Sequence, residues 1–272
     1  MTRFEHIIQA SSKPHTRQSL ASDLRRIGVV PGMTLAVHSS LGSIGYVVGG
    51  AMAVILALED VLGEEGTLAM PSHTGDLSDP AEWESPSVPA IWHQLIRDHM
   101  PPFLPDLSPT WEMGTIAELF RNQQGTQRSQ HPQVSWAARG KHARLITAGH
   151  SLDMGQGESS PLGHLYDLAA EVLLLGVDFS VNTSFHLAEY RCKSAHDRVC
   201  QIGFPLEFEG KVSWEVYADV FHSDQDFSEI GSAFAAEDDS VHGATIGSAV
   251  SQLFSQRRAV DYAVTWMDAN RG

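Results

Sequence analysis

Cysteine is almost missing from this chain: its 272 residues include two, Cys192 and Cys200. That excludes a disulfide framework and makes a reducing compartment, the cytoplasm, the expected location. Basic residues are also scarce, 18 Lys and Arg against 33 Asp and Glu, for a formal charge of −15. Charge of that sign repels nucleic-acid phosphates and anionic lipid head groups and suits a cationic partner, although excess acid also simply keeps a protein soluble. No apolar run approaches the roughly 20 residues of a spanning helix, and Met1–Lys13 has neither a long apolar stretch nor a small-residue cleavage site, so no membrane segment and no signal peptide are expected. Internal repeats are absent, which excludes solenoids and propellers. What is present is ordinary globular composition, 42% hydrophobic and 19% charged. The length allows one large domain or two small ones, either with a sizeable core.

Periodicity gives an alternating order of elements. Leu20, Leu24 and Ile27 recur at helical spacing within 16–27, closed by Gly28 and Pro31-Gly32. A short strand is expected at 34–37, then His38-Ser39-Ser40 and the glycines Gly42, Gly45, Gly49 and Gly50. Ala51, Val54, Ile55, Leu58, Val61 and Leu62 trace a helix, and a strand follows at 66–70, so this stretch predicts a βαβ-like unit. Prolines crowd 73–109 and leave room for one short helix near 91–97, so the segment is expected to be a long functional loop or lid. Helices are expected at 110–120 and 135–148, and a strand at 171–177. Alternation over 202–226, with Glu209-Gly210 at the turn, predicts an antiparallel hairpin. Helical spacing returns at Ile246, Val250, Leu253 and Phe254 before a polar tail near Trp266. The fold class is mixed α/β, and periodicity leaves open whether the second half is a separate domain.

The segment 177–190 carries the most chemistry: a strand end, a polar turn and a helix start. Asn182, Thr183 or Ser184 can cap the helix, which places His186 in its first turn and Glu189 on the same face. The positive helix end lowers the basicity of an imidazole while the carboxylate raises it and fixes its tautomer, a combination suited to a general base. An isolated H-x-x-E is also the pattern of a structural surface pair. The glycine-rich turn offers backbone N–H groups and the Ser39 and Ser40 hydroxyls to phosphate, and Arg128 is a second anion candidate, but neither G-x-G-x-x-G nor a Walker A is present. Cys192, His196 and Cys200 would share a helix face if that helix continued, with no fourth ligand evident, so no metal is expected. G-x-S-x-G and H-E-x-x-H are both missing.

Together these segments resemble the aminoglycoside 3-N-acetyltransferase family. The resemblance runs through Val37-His38-Ser39-Ser40-Leu41 with Gly49-Gly50, then Met70-Pro71-Ser72-His73-Thr74 with Asp79-Pro80 and Trp83. It continues through Met113-Gly114, Glu118, Phe120-Arg121, Arg128-Ser129 with His131-Pro132, Ser160-Pro161, and Asn182-Thr183-Ser184 with His186 and Glu189. It implies a compact antibiotic N-acetyltransferase-like fold over 1–272, with a central sheet flanked by helices and distinct from the common acetyltransferase fold. Acetyl-CoA and a polyamine antibiotic would meet in a cleft, and a homodimer is compatible with it. His186 and Glu189 match the family's catalytic pair, while His38, Ser39, Ser40, Thr74, Arg128 and Ser129 fall in segments similar to its coenzyme-binding loops. Family members often carry Asp six residues before the histidine; that position here is Ser180, with Asp178 two residues earlier. Asp178, Asp219 and Asp224 are expected to meet the cationic acceptor. The implied mechanism is direct transfer in a ternary complex with a His–Glu base, on an aminoglycoside or on another amine. Neither cysteine lies in a coenzyme-matching segment, so no acyl-enzyme is expected.

Overall fold

The computed structural model describes residues 3–11, 13–84 and 86–271; Met1 and Gly272, the ends of the expected 1–272 unit, lie outside them. Nine strands are described: β1 Thr34–Ser39, β2 Thr67–Pro71, β3 Gln127–Arg128, β4 Trp136–Gly140, β5 Glu171–Leu175, β6 Val199–Phe208, β7 Lys211–Val220, β8 His242–Ile246 and β9 Ala249–Ser255. Seven form one sheet in the order β3-β4-β2-β1-β5-β9-β8, and β6-β7 stand apart as a hairpin. The three central strands β2, β1 and β5 run parallel, and antiparallel strands flank them on both sides.

Helices cover both faces because the central strands are apolar on both. Leu35 and Val37 point into a core with α2 (Arg17–Ile27), α4 (Gly50–Leu62) and α6 (Gly114–Arg121), which follow α1 (Arg3–Ala10), α3 (Leu41–Ile44) and α5 (His93–His99) in the numbering. Ala36, Val172 and Leu174 point the other way, toward α7 (Ala143–Thr147), α8 (Pro161–Asp167), α9 (Ser184–Arg191), α10 (Phe227–Glu237) and α11 (Gln256–Asn270). This second core is aromatic: Phe179 packs on Phe254 at 5.2 Å and Phe185 on Phe227 at 5.3 Å between ring centroids. Burying each such ring contributes about 2–3 kcal/mol. Gly231 on α10 makes the approach possible, since a Cβ there would lie 1.9 Å from Cγ of Phe179. Among the described residues no helix is long and apolar enough to cross a membrane.

The βαβ unit β1–α4–β2, the strand β5 and the 6–7 hairpin all match the sequence reading, the hairpin turning through Glu209 at φ 51° and Gly210 at φ 76°. Four expectations are corrected. The stretch 135–148 is not one helix: Trp136–Gly140 pairs with β2, Gly140 turns at φ 115°, and only Ala143–Thr147 is helical. The apolar residues from Ile246 to Phe254 belong to β8 and β9, joined at Gly247, and alternate between exposed Val250 and buried Ser251. Trp266 lies in α11 rather than in a tail. The helix expected at 110–120 begins only at Gly114, whose φ is 81°. The proline-rich segment holds three short 3₁₀ turns and α5.

Candidate active site

Parallel strands present their loops at the carboxyl edge of the sheet, and the site gathers there. β1 ends in His38 and Ser39, β2 is followed by Ser72 and His73, and β5 leads through a 3₁₀ turn to α9. Thr183 stands at the N-cap of α9, while Asn182 Oδ1 accepts the Ser184 N–H at 3.4 Å. The helix buries Phe185, Leu187 and Ala188 in the aromatic core, so its opposite side carries His186 outward. Glu189 lies one turn on, fully buried.

His186 Nδ1 and Glu189 Oε2 are 2.7 Å apart. The second oxygen, Oε1, accepts from Arg271 Nη1 at 2.6 Å, the Ser223 N–H at 3.0 Å and Arg198 Nη2 at 3.1 Å. Burial pushes this carboxyl upward, but the hydrogen bond and charge of His186 and the bond from Arg271 outweigh it and hold the group at about 2. An ionised carboxylate only accepts, so Nδ1 carries the proton and Nε2 carries the lone pair. Among the described residues nothing hydrogen-bonds to Nε2, and the side chain is 16% exposed. An imidazole with one nitrogen fixed and the other open is arranged to take a proton.

Other imidazoles surround it. His222 lies 4.9 Å away between centroids, and Phe227 closes another side at 4.9 Å. Burial, and then the charge of His186, push His222 down to about 3. Tyr190 donates its hydroxyl to Asp219 at 2.5 Å, so His222 Nε2–H donates to Tyr190 at 2.6 Å while Gln156 approaches Nδ1 at 3.4 Å. Burial, with a lesser push from His186, lowers His38 to about 4, and the same causes lower His73 well below the ordinary range. The Nε2 atoms of both, with Ser72 Oγ and Ser184 Oγ, are buried and lack partners among the described residues. Unpartnered polar atoms buried around a base fit a ligand that brings its own donors and acceptors, as a thioester and an amine do.

The structure divides the residues expected from sequence. His186, Glu189 and His38 come together. Ser39 and Ser40 line an open cleft of about 520 Å³ with Gly42, Met113 and Gly114. Thr74, Arg128 and Ser129 face inward. Thr74 Oγ1 donates to the Pro132 carbonyl. Arg128 donates to the carbonyls of Ser72, Pro105 and Ser108 and to Ser135 Oγ, stacks 4.9 Å from the Phe103 ring, and is lowered by burial to about 10. The Ser129 hydroxyl lies between His150 Nδ1 and the Trp136 N–H. The polar groups of Arg128 and Ser129, expected to meet the coenzyme, are thus engaged inside the protein. Asp219 is likewise buried, holding Tyr190 and the Val220 N–H. Asp178 is exposed and caps the turn at Ser180, and Asp224 is exposed before α10. A separate pocket of about 370 Å³ in the proline-rich segment is lined by Asp76, Trp83, Glu84 and Trp111, with Asp76 Oδ1 buried and unpartnered among the described residues. Cys192, His196 and Cys200 do not share a helix face, because α9 ends at Arg191 and Cys200 lies on β6.

Sequence reasoning missed His73, Tyr190, Arg198, His222 and Arg271. Tyr190, four residues after His186, carried a usable signal in its helical spacing. Of the other four, His73 stood in the Met70–Thr74 segment that carries the family resemblance, and Arg198, His222 and Arg271, from separate loops and termini, carried none.

The aminoglycoside 3-N-acetyltransferase profile matches residues 36–268. The SPbeta prophage-derived aminoglycoside N(3')-acetyltransferase-like protein YokD of Bacillus subtilis is 46% identical over 97% of this chain and 96% of its own, and its crystal structure superposes with a TM-score of 0.95, covering 98% of both chains. Aminoglycoside N(3)-acetyltransferase VII of Streptomyces paromomycinus is 33% identical over 98% of this chain and 96% of its own. The solved binary complex of AAC-IIIb with CoASH has a TM-score of 0.82 at 30% identity, covering 94% of this chain and 97% of that one. Sequence and fold agree along nearly the whole length, and the chain belongs to the aminoglycoside 3-N-acetyltransferase family, acyltransferases that use acetyl-CoA.

Proposed function

We propose that the protein transfers acetyl from acetyl-CoA to the 3-amine of an aminoglycoside, directly, with His186 as general base oriented by Glu189. The observation that carries this reading is the 2.7 Å Nδ1–Oε2 bond to a carboxylate whose other oxygen is saturated, which leaves Nε2 as the open basic atom. His186 Nε2 takes the proton that the attacking amine loses as its N–C bond forms; an acceptor that arrives as its ammonium first gives one proton to solvent. The N–C bond to the acetyl carbonyl forms as the C–S bond breaks, and the proton passes on to the departing thiolate. His38 and His73, uncharged and unpartnered, supply polar atoms for the thioester beside the base. Ser39 and Ser40 face the cleft expected to take the coenzyme. The acceptor is a polycation, and the pocket of Asp76 and Glu84 between Trp83 and Trp111 offers it carboxylates and aromatic faces, with the proline-rich segment as its cover.

The test is incubation of the purified protein with acetyl-CoA and a panel of aminoglycosides, following free thiol and assigning the product by mass spectrometry and NMR. Release with acetylation at the 3-amine is expected; no release with any aminoglycoside removes the antibiotic acceptor and leaves another amine. In His186→Ala, kcat should fall by about 10²–10⁴ with coenzyme affinity nearly intact, and wild-type turnover there excludes the base.

A further inference from the structure

We infer that Arg198 and Arg271 set the working pH of the base, by cancelling the charge of the carboxylate that orients it. The inference rests on the reading of His186 as the base. An ionised carboxylate at hydrogen-bond distance raises an imidazole's pKa by one to three units, which would leave the base protonated at neutral pH. Here the carboxylate's free oxygen is occupied by two guanidinium groups, from the 3₁₀ segment Lys193–Arg198 and from the residue after α11. Arg271 also grips Asp226, through Nη2 and through Nε at 2.6 Å, and donates to the Ser223 carbonyl at 2.8 Å.

The charges facing His186 come from every element around it. Glu189 is on its own helix, Arg198 and Arg271 stand behind Glu189, and Asp226 balances the second of them. His222, after β7, and His38 and His73, from the ends of β1 and β2, are buried and uncharged at neutral pH. Asp219, on β7, lies beyond Tyr190 and holds its hydroxyl. Glu189 and Asp226 thus meet two guanidinium groups, so the charge of the carboxylate that accepts from Nδ1–H is offset, and Asp219 is common to wild type and every variant. Orientation and basicity are separated: Oε2 directs the ring, and the arginines on Oε1 offset the charge of the carboxylate behind it.

The experiment compares Arg271→Met, Arg198→Met and the charge-retaining Arg271→Lys with wild type. The His186 ring is titrated by NMR in the absence of substrates, its signal assigned by its loss in His186→Ala, and kcat/KM is measured against pH. In each Met variant the remaining arginine and the Ser223 N–H still hold Oε1. Removing one positive charge favours the imidazolium, so the His186 midpoint should rise by about 1 pH unit and the acid limb of the rate profile should move up with it. Activity should fall about tenfold below that limb and approach the wild-type plateau above it. Arg271→Lys should keep the wild-type midpoint. An unchanged or lowered midpoint, or a loss of rate equal at every pH, overturns the inference. Should Arg271→Met fail to fold, Arg198→Met carries the same expectation. Turnover in His186→Ala would instead remove the base assignment, whatever the ring titration shows.

Discussion

Replacing Glu189 by Gln tests the site more closely than removing the histidine, because the new side chain keeps its shape and changes only its protons. Arg271, Arg198 and the Ser223 N–H all donate toward Oε1, so the amide oxygen takes that side and its NH₂ turns to His186. An NH₂ facing Nδ1 forces the imidazole proton onto Nε2, the atom needed as a base. The expected loss in kcat is about 10²–10⁴, with KM for both substrates little altered. Stability falls as well. The Glu189 carboxyl lies at about 2 against an ordinary 4.5, a difference of about 3 kcal/mol in favour of the folded state, and the variant also leaves the half-buried Arg198 without a carboxylate while Arg271 keeps Asp226. Because the folded value is depressed, this stabilisation is full above 4.5 and is lost as pH falls through that value toward 2. Wild type should therefore be the more stable protein throughout the range from about pH 5.5 to 8 in urea unfolding monitored by circular dichroism. Thiol release gives kcat on the same preparations. Turnover within about threefold of wild type, or a loss confined to KM, would refute the tautomer argument.

Two further outcomes follow from buried groups. Burial holds His38 and His150 at about 4 and His131 and His222 at about 3, against 6.5 in the unfolded chain. The unfolded state binds more protons between those values, so stability falls as pH drops below 6.5, by about 2 kcal/mol per histidine at pH 5. That total rivals a typical folding free energy, and acid unfolding is expected near about pH 5; full stability retained at pH 4 would contradict it. Gly231→Ala sets helix propensity, which favours Ala by about 1 kcal/mol, against the 1.9 Å approach of its new Cβ to Phe179. We expect net destabilisation of about 1–3 kcal/mol by thermal denaturation, and a rise in melting temperature would show that Phe179 moves aside freely.

Local pattern revealed the parts of this molecule whose neighbours in sequence are also neighbours in space. The β1–α4–β2 unit, the Glu209-Gly210 hairpin and the His186–Glu189 pair are all of that kind. The helix wrongly expected at 135–148 shows the limit: Trp136–Ala138 has helical spacing as readily as strand spacing, and pairing with β2 decides the matter from a distance. The same holds at Ile246–Phe254, where the turn at Gly247 was the missed signal. The inward turn of Arg128 onto three backbone carbonyls was not legible either, because a lone arginine carries no mark of direction. Arg271 had no signal at all, since its partner Glu189 lies 82 positions away along the chain.

Arg128 has one more consequence. A single side chain binds the carbonyls of Ser72 at one root of the proline-rich excursion and of Pro105 and Ser108 at the other. The excursion is thus rooted like a short loop, however long its middle. Exchanges of length or composition around α5 are expected to stop at those roots and to leave the strand register and the His186–Glu189 pair in place. Under the proposed function, the choice of amine can then be rewritten in the outer part of that stretch while the sheet beneath stays as it is.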